Sequence, residues 1–411
     1  MILKSLTPQQ VASWDAMAQH RLTICDGSVR SGKSVGADVA WIDYCRHAPD
    51  GNLLMVGKTE RTLKRNVIDP MIEILGNKRC RYVGGSGELF VLGRRVYLAG
   101  ANDERAEEKI RGLTLIGAYV DEISTVPETF WVMLLSRLSL EGSRLVGTTN
   151  PDSPMHWLKK GYLDRAKELD IARFQFRLYD NPHLPSSFID AIKREFTGLW
   201  RRRMIDGEWC VAAGAIYDAW DPDRHVVPAA QLPPTGVLLC MGIDYGTTAP
   251  TAGLLLGVTA EERPRLAFVD EWAPAPMTDV GLSADLRKWL AGRRPQWFAV
   301  DPSAASFKMQ LYADGISNVM DAKNPVQGGL RTVNSLLATN RLVVSDACRH
   351  WCEEVPAYAW DPKATAKGKD EPMKVDDHWC DAGRYAVAST VALWRNMVPL
   401  TMPVIDDEEA A

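Results

Sequence analysis

Gly27-Ser-Val-Arg-Ser-Gly32-Lys33-Ser34 follows the apolar run Leu22-Thr-Ile-Cys25 and precedes a helix-compatible stretch over 33–46. It fits G-x4-G-K-[ST] at every fixed position, in the required order of strand, glycine loop and helix. The glycines let backbone N–H groups turn towards phosphate oxygens, Lys33 neutralises β/γ charge, and the Ser34 hydroxyl suits Mg2+ at a helix N-terminus. By average residue frequencies such a string arises by chance in about one chain of this length in a hundred, before any strand–helix context is demanded. Gly27, Arg30, Ser31, Gly32, Lys33 and Ser34 are therefore candidate ATP-binding residues of an α/β fold.

Working outward, short β-type runs at 22–25, 52–56, 95–99, 116–120 and 144–147 alternate with helix-compatible stretches such as 33–46 and 60–75, the pattern of a mostly parallel sheet. A P-loop ATPase also needs an acid on a neighbouring strand for the metal and a second group to orient the attacking water. Leu115-Ile-Gly-Ala-Tyr-Val120 ends in Asp121-Glu122, which suits Asp121 for Mg2+ and Glu122 for the water proton. The strand at 144–147 runs into Thr148-Thr149-Asn150-Pro151, whose hydroxyl and amide, Thr149 and Asn150, fit a γ-phosphate coupling element. Arg30, Arg111 and Arg137 are candidate charge stabilisers, although a surface ion pair is the better reading of each arginine.

The chain has 411 residues, 46% of them apolar and 24% charged, with a formal charge of −4. That length exceeds what one core usually organises, and the weak net charge excludes a uniformly basic nucleic-acid coat while permitting a local basic groove. The eight cysteines show no paired C-x-x-C spacing, and Cys348-Arg-His350-Trp-Cys352 reads as packing rather than zinc binding. No apolar run approaches membrane-helix length, so a soluble cytoplasmic protein is expected. The expected division is an ATPase domain over 1–178, a connecting subdomain and linker over 179–235, a second α/β domain over 236–398 and an acidic, disordered tail over 399–411.

In that second domain, runs at 237–244, 251–258 and 265–269 look like a meander, and another strand reaches Asp301. Asp244 and Asp301 end apolar runs, and Asp376-Asp377-His378-Trp-Cys-Asp381 opens a helix on which His378 and Asp381 share a face. Carboxylates gathered in this way suit two hard divalent cations, Mg2+ or Mn2+, that cleave a phosphodiester. Unrelated surface acids would look the same one at a time; only the ordered set of three points to a site.

Taken in order, these motifs resemble the large terminase subunit of tailed bacteriophages and prophages. The resemblance runs through Thr7-Pro-Gln9-Gln10, the loop with Arg30, Lys109-Ile-Arg111-Gly112, Asp121-Glu122 and Thr148-Thr149-Asn150. It continues through Asp180-Asn181-Pro182, Gly207-Glu208-Trp209, Gly242-Ile-Asp244-Tyr-Gly246, Asp301-Pro302 and Asp377-His378 to Arg384-Tyr385. It implies an additional-strand ATPase domain followed by a ribonuclease-H-like nuclease domain. Lys33, Asp121 and Glu122 would form the ATP-site core, Thr149 and Asn150 would couple, and Gln9 or Gln10 would lie near the adenine. Asp244, Asp301 and Asp381 would bind nuclease metals with His378 as an accessory. Gly383 departs from the resemblance, which favours a larger helix former there.

The implied partners are double-stranded DNA, a portal protein, a small terminase subunit and further copies in a ring on the portal, with a monomer in isolation and no membrane. The implied place is the host cytoplasm, not the mature virion. Two alternatives remain at this stage: a repair-type helicase or ATP-dependent nuclease, which would need further motor motifs, and an inactive prophage remnant that only binds nucleotide.

Overall fold

β1 (Leu22–Gly27) is buried along its whole length, as a central strand of a parallel sheet must be. The computed structural model describes residues 6–84, 88–246, 249–323 and 326–400; the expected acidic tail lies outside them from 401 on. The chain divides into two compact units, one of residues up to 184 with 201–211 and 366–369, the other of 185–200, 212–365 and residues from 370 on. The stretch expected to connect two domains is thus shared between them.

The first unit is built on an eight-stranded sheet of β1, β2 (Asn52–Gly57), β3 (Cys80–Val83), β4 (Glu88–Val91), β5 (Arg94–Gly100), β6 (Leu115–Val120), β7 (Arg144–Thr149) and β8 (Ile171–Phe176). Their order is β3-β4-β5-β2-β6-β7-β1-β8. β5 through β8 run parallel, and the β3–β4 hairpin adds an antiparallel edge. β7 stands between the P-loop strand β1 and the acidic strand β6, which makes this the additional-strand arrangement. Alternate residues of the central strands feed two cores: Leu54, Val56, Ala118 and Val120 join the cluster around Trp131, and Leu53, Met55 and Tyr119 join the one around Trp41. Since strand side chains alternate between faces, the sheet is covered on both sides.

In the helical stretch at 60–75, Lys64–Ile68 forms a π-helical turn between two α-helical pieces. Such bulges recur at functional sites, and this one carries Asn66. β3 and β8 were not apparent from apolar runs, because Arg81, Tyr82, Arg173 and Gln175 interrupt them.

The second unit holds β9 (Val226–Val227), β10 (Thr235–Asp244), β11 (Ala252–Thr259), β12 (Leu266–Trp272), β13 (Trp297–Val300), β14 (Val319–Asp321) and β15 (Leu342–Ser345). The order is β14-β13-β10-β11-β12-β15-β9. β10, β11 and β12 form the expected antiparallel meander, with β13 and β14 added parallel beyond β10, a ribonuclease-H-like topology. The helix His378–Ser389 packs on β10 and β11. That approach is close: a Cβ on Gly242 would lie 2.1 Å from the Ala382 carbonyl oxygen. Gly242→Ala is accordingly expected to destabilise this unit by about 1–3 kcal/mol, read as a lowered Tm in thermal unfolding. The same packing accounts for Gly383, where a Cβ would come within 3.0 Å of Phe268 and Trp351; a larger residue has no room. Among the described residues, no helix is long and apolar enough to cross a membrane.

Candidate active sites

β1 ends at Gly27, and the chain then turns through Arg30 and Gly32, both with left-handed backbone, φ +55° and +88°. Gly32 caps the helix α1 (Lys33–His47), giving the strand, anion-binding turn and helix N-terminus that phosphate recognition requires. Ser31 donates from Oγ to the Ser28 carbonyl at 2.8 Å and braces the loop. Ser34 is half-buried in the first turn of α1. Arg30 is exposed, and its carbonyl accepts a 2.8 Å bond from the Asn181 amide.

Parallel register brings the next residues together. Val120 of β6 pairs with Gly147 of β7, and Thr149 of β7 pairs with Asp26 of β1. Lys33 is buried, and its Nζ donates to the Ser28 carbonyl at 3.2 Å and to Asn150 Oδ1 at 2.7 Å. The Asn150 amide Nδ2 donates to both Glu122 carboxylate oxygens at 3.1 Å. Asn150 therefore links the P-loop cation to the candidate general base. Glu122 itself takes left-handed backbone, φ +51°, the kind of strained non-glycine conformation that clusters at functional sites.

Asp121 is buried and accepts from Thr148 Oγ1 at 3.0 Å and from the Asn66 side chain. Burial raises its pKa, against the Thr148 bond and the Lys33 charge. Burial likewise lowers that of Lys33, against Glu122 and Asp121. The opposite charges thus offset part of what burial in this site costs each of them. Thr149 Oγ1 accepts from the Ser124 amide at 3.2 Å, tying the ends of β6 and β7. Gln10 turns its amide into the protein: Oε1 accepts from Thr7 N at 2.8 Å, and Nε2 donates to the Gly32 carbonyl at 2.7 Å. It braces the loop, while Gln9 is half-buried and donates from Nε2 to the Gln175 carbonyl. Arg111 pairs with Glu107 on the surface at 2.9 Å.

Sequence reasoning missed a strap over the loop. Val29 N donates to the Met204 carbonyl at 2.9 Å, and Gln175 Nε2 to the Gly207 carbonyl at 2.8 Å. Trp209 Nε1 reaches buried Asp26 at 2.9 Å, beside a bidentate Arg173–Asp26 pair at 2.9 and 2.7 Å. Gly207-Glu-Trp209 carried the only sequence signal for it.

In the second unit, Ile243 of β10 pairs with Val300 of β13, so Asp244 and Asp301 emerge side by side. Asp301 Oδ1 accepts from Ser303 N at 2.8 Å. Asp244 Oδ2 lies 3.0 Å from His378 Nδ1. Its pKa is pushed up to about 6 by burial and by the charges of Asp381 and Asp301, against the His378 bond. Asp381 is buried: Oδ1 accepts from Arg384 Nη2 at 3.0 Å and Tyr358 OH at 3.2 Å, and Oδ2 from Lys374 Nζ at 2.9 Å. Burial acts to raise its pKa, but Arg384 and Lys374 outweigh it and hold the carboxyl below the usual range. Asp377 accepts from the same Lys374 at 2.8 Å.

The three aspartates are thus electrostatic neighbours of hard-oxygen character, a donor chemistry suited to Mg2+ or Mn2+. Among the described residues, no three His, Cys, Asp or Glu side chains stand close enough to hold a metal as they are, and both oxygens of Asp381 are taken by cationic partners. His350 stacks on Trp379 at 4.2 Å and pairs with Glu271 at 2.7 Å, while Cys348 Sγ faces the Phe268 carbonyl.

Glu354, also missed, accepts from Trp379 N at 2.8 Å and Cys380 N at 2.9 Å, capping the helix that carries His378 and Asp381. Burial pushes its pKa from 4.5 up to about 7. An acid whose folded pKa is raised binds more protons folded than unfolded, so its contribution to stability falls as pH rises from about 4.5 to about 7. Glu354→Gln is expected to flatten that limb of the pH–stability curve, measured by urea unfolding across the range.

Residues 24–221 match the family described as terminase large subunit, T4likevirus-type, N-terminal. A large terminase subunit of Escherichia phage T5 is 22% identical over 218 residues, 51% of this chain and 50% of that protein; the match thus spans about half the length of that relative. The large terminase of a thermophilic bacteriophage is 31% identical and superposes with a TM-score of 0.87 over 95% of this chain and 100% of its own. The same terminase in complex with ATP-gamma-S superposes with a TM-score of 0.83 at 31% identity, covering 93% of this chain and 98% of that one. Likeness at that identity over the full length of a solved large terminase, on a fold that brings the P-loop lysine to the strand-end acids, means that this chain belongs to the large terminase family.

Proposed function

We propose that this chain is a viral DNA-packaging motor whose first unit hydrolyses ATP to drive double-stranded DNA into a procapsid and whose second unit cuts the DNA. The observation that carries the reading is the Lys33–Asn150–Glu122 bridge: it joins phosphate binding, the end of β7 and the water-activating acid in one hydrogen-bonded chain. Lys33 neutralises β/γ-phosphate charge, Glu122 takes the proton of the attacking water, and Asn150 holds both in register. Loss of the γ-phosphate changes what Lys33 faces, and Asn150 transmits that change to β7 and, with Thr149, to the segment after Glu122. Gln10 supports the loop, and Gln9 or Gln10 would lie near the adenine. Ser34 and Asp121 would hold Mg2+, which supplies neutralisation of the phosphates. The complex of the thermophilic phage terminase with ATP-gamma-S supports the nucleotide assignment.

In the second unit, Asp244, Asp301 and Asp381 would hold two Mg2+ or Mn2+ ions, which supply an activated water and stabilise the leaving oxygen. His378 sets the orientation of the Asp244 carboxylate. The motor acts in the host bacterial cytoplasm, absent from the mature virion, as a ring of copies on the portal protein supplied with DNA by a small terminase subunit. Purified chain, monomeric in isolation, is expected to drive DNA into nuclease-protected form only with ATP and portal-bearing procapsids. Protection without portal would overturn the motor reading.

A further inference from the structure

Asp381 is held by two cations of different standing. Arg384 is 1% exposed at its side chain and lies over the Tyr385 ring at 4.7 Å, so it is a built-in partner of Oδ1. Lys374 is 65% exposed, reaches in from the segment before the helix, and spans Asp377 Oδ2 at 2.8 Å and Asp381 Oδ2 at 2.9 Å. Between that lysine and the helix, Asp376 takes left-handed backbone, φ +47°. An ion pair open to water is weak and readily exchanged, whereas removing the buried Arg384 would strand a buried carboxylate. Of the two, only the lysine is placed to give way.

We propose that Lys374 is a tethered competitor for metal: its ammonium occupies Oδ2 of Asp381 until a divalent cation displaces it. This rests on reading Asp244, Asp301 and Asp381 as the metal site, and it makes loading of that site an exchange of one cation for another. The buried carboxylates then never stand uncompensated, and the nuclease centre assembles only where free metal outcompetes the lysine. Metal enters by turning Lys374 out to solvent, while Arg384 and Tyr358 keep Oδ1 and hold the carboxylate in place.

The test is Mn2+ binding to the full chain without nucleotide or DNA, by isothermal titration calorimetry. Lys374→Met is expected to bind Mn2+ on the order of tenfold more tightly, the scale of the solvent-screened ion pairs that metal no longer has to break. Lys374→Arg, which keeps the charge, stays near the wild type. Mn2+ should also raise the Tm of Lys374→Met more than that of the wild type. Lys374→Gln gives the same reading should the methionine variant fold poorly. Unchanged or weaker Mn2+ binding in the neutral variants overturns the proposal. Asp301→Asn separates the two ideas: if it binds Mn2+ as the wild type does, the carboxylate site itself is wrong, whatever Lys374 does.

Discussion

Lys33→Ala is expected to lower ATP turnover by about three orders of magnitude or more, while Mn2+-dependent plasmid cleavage proceeds at the wild-type rate. Lys33 is the cation buried among Glu122 and Asp121, and its own pKa is lowered by burial against those two charges. Without it, the triphosphate would meet two carboxylates in a site with little water, and like charges there are far more costly than at the surface. Asn150 would lose the donor at its Oδ1, so the amide that addresses both Glu122 oxygens loses its anchor as well. Phosphate release measures the first activity and conversion of supercoiled plasmid the second. Undiminished phosphate release would remove the P-loop assignment, and a parallel loss of cleavage would show that the substitution had damaged the whole fold.

Asp301→Ala is expected to do the reverse, abolishing cleavage by a factor on the order of a thousand or more with ATP turnover retained. Asp301 stands one residue beyond the β13 strand end that pairs with β10, beside Asp244, whose raised pKa of about 6 includes the repulsion between them. Two carboxylates brought that close need a cation, and alanine removes one of its anchors. Little stability is at stake, since the local bond lost is the one from Ser303 N. A variant that cut plasmid at the wild-type rate would sink the carboxylate site.

The P-loop, Asp121-Glu122, Thr149-Asn150 and the aspartates were legible because each stands where an apolar strand meets a loop, a junction with a local pattern. Gln10 was legible as well, but only the folded loop shows the Gly32 carbonyl taking its amide. Asn66, Thr148, Trp209, Glu354 and Lys374 carried no strong signal. Asn66 depends on a π-helical turn, and Trp209 meets Asp26 across 183 residues. Glu354 caps a helix that begins 24 positions later. Gly383 looked like a flaw in a helix until Phe268 and Trp351 appeared against it.

By itself the sequence determined the chemistry at the strand ends and the order of the two folds, because strand period, glycine turns and terminal acids are properties of short segments. Only the tertiary structure decided which cation faces which acid. Asn150 between Lys33 and Glu122, and Lys374 on Asp381, follow from parallel register and helix packing, which join residues far apart in the chain and leave no trace in its local pattern.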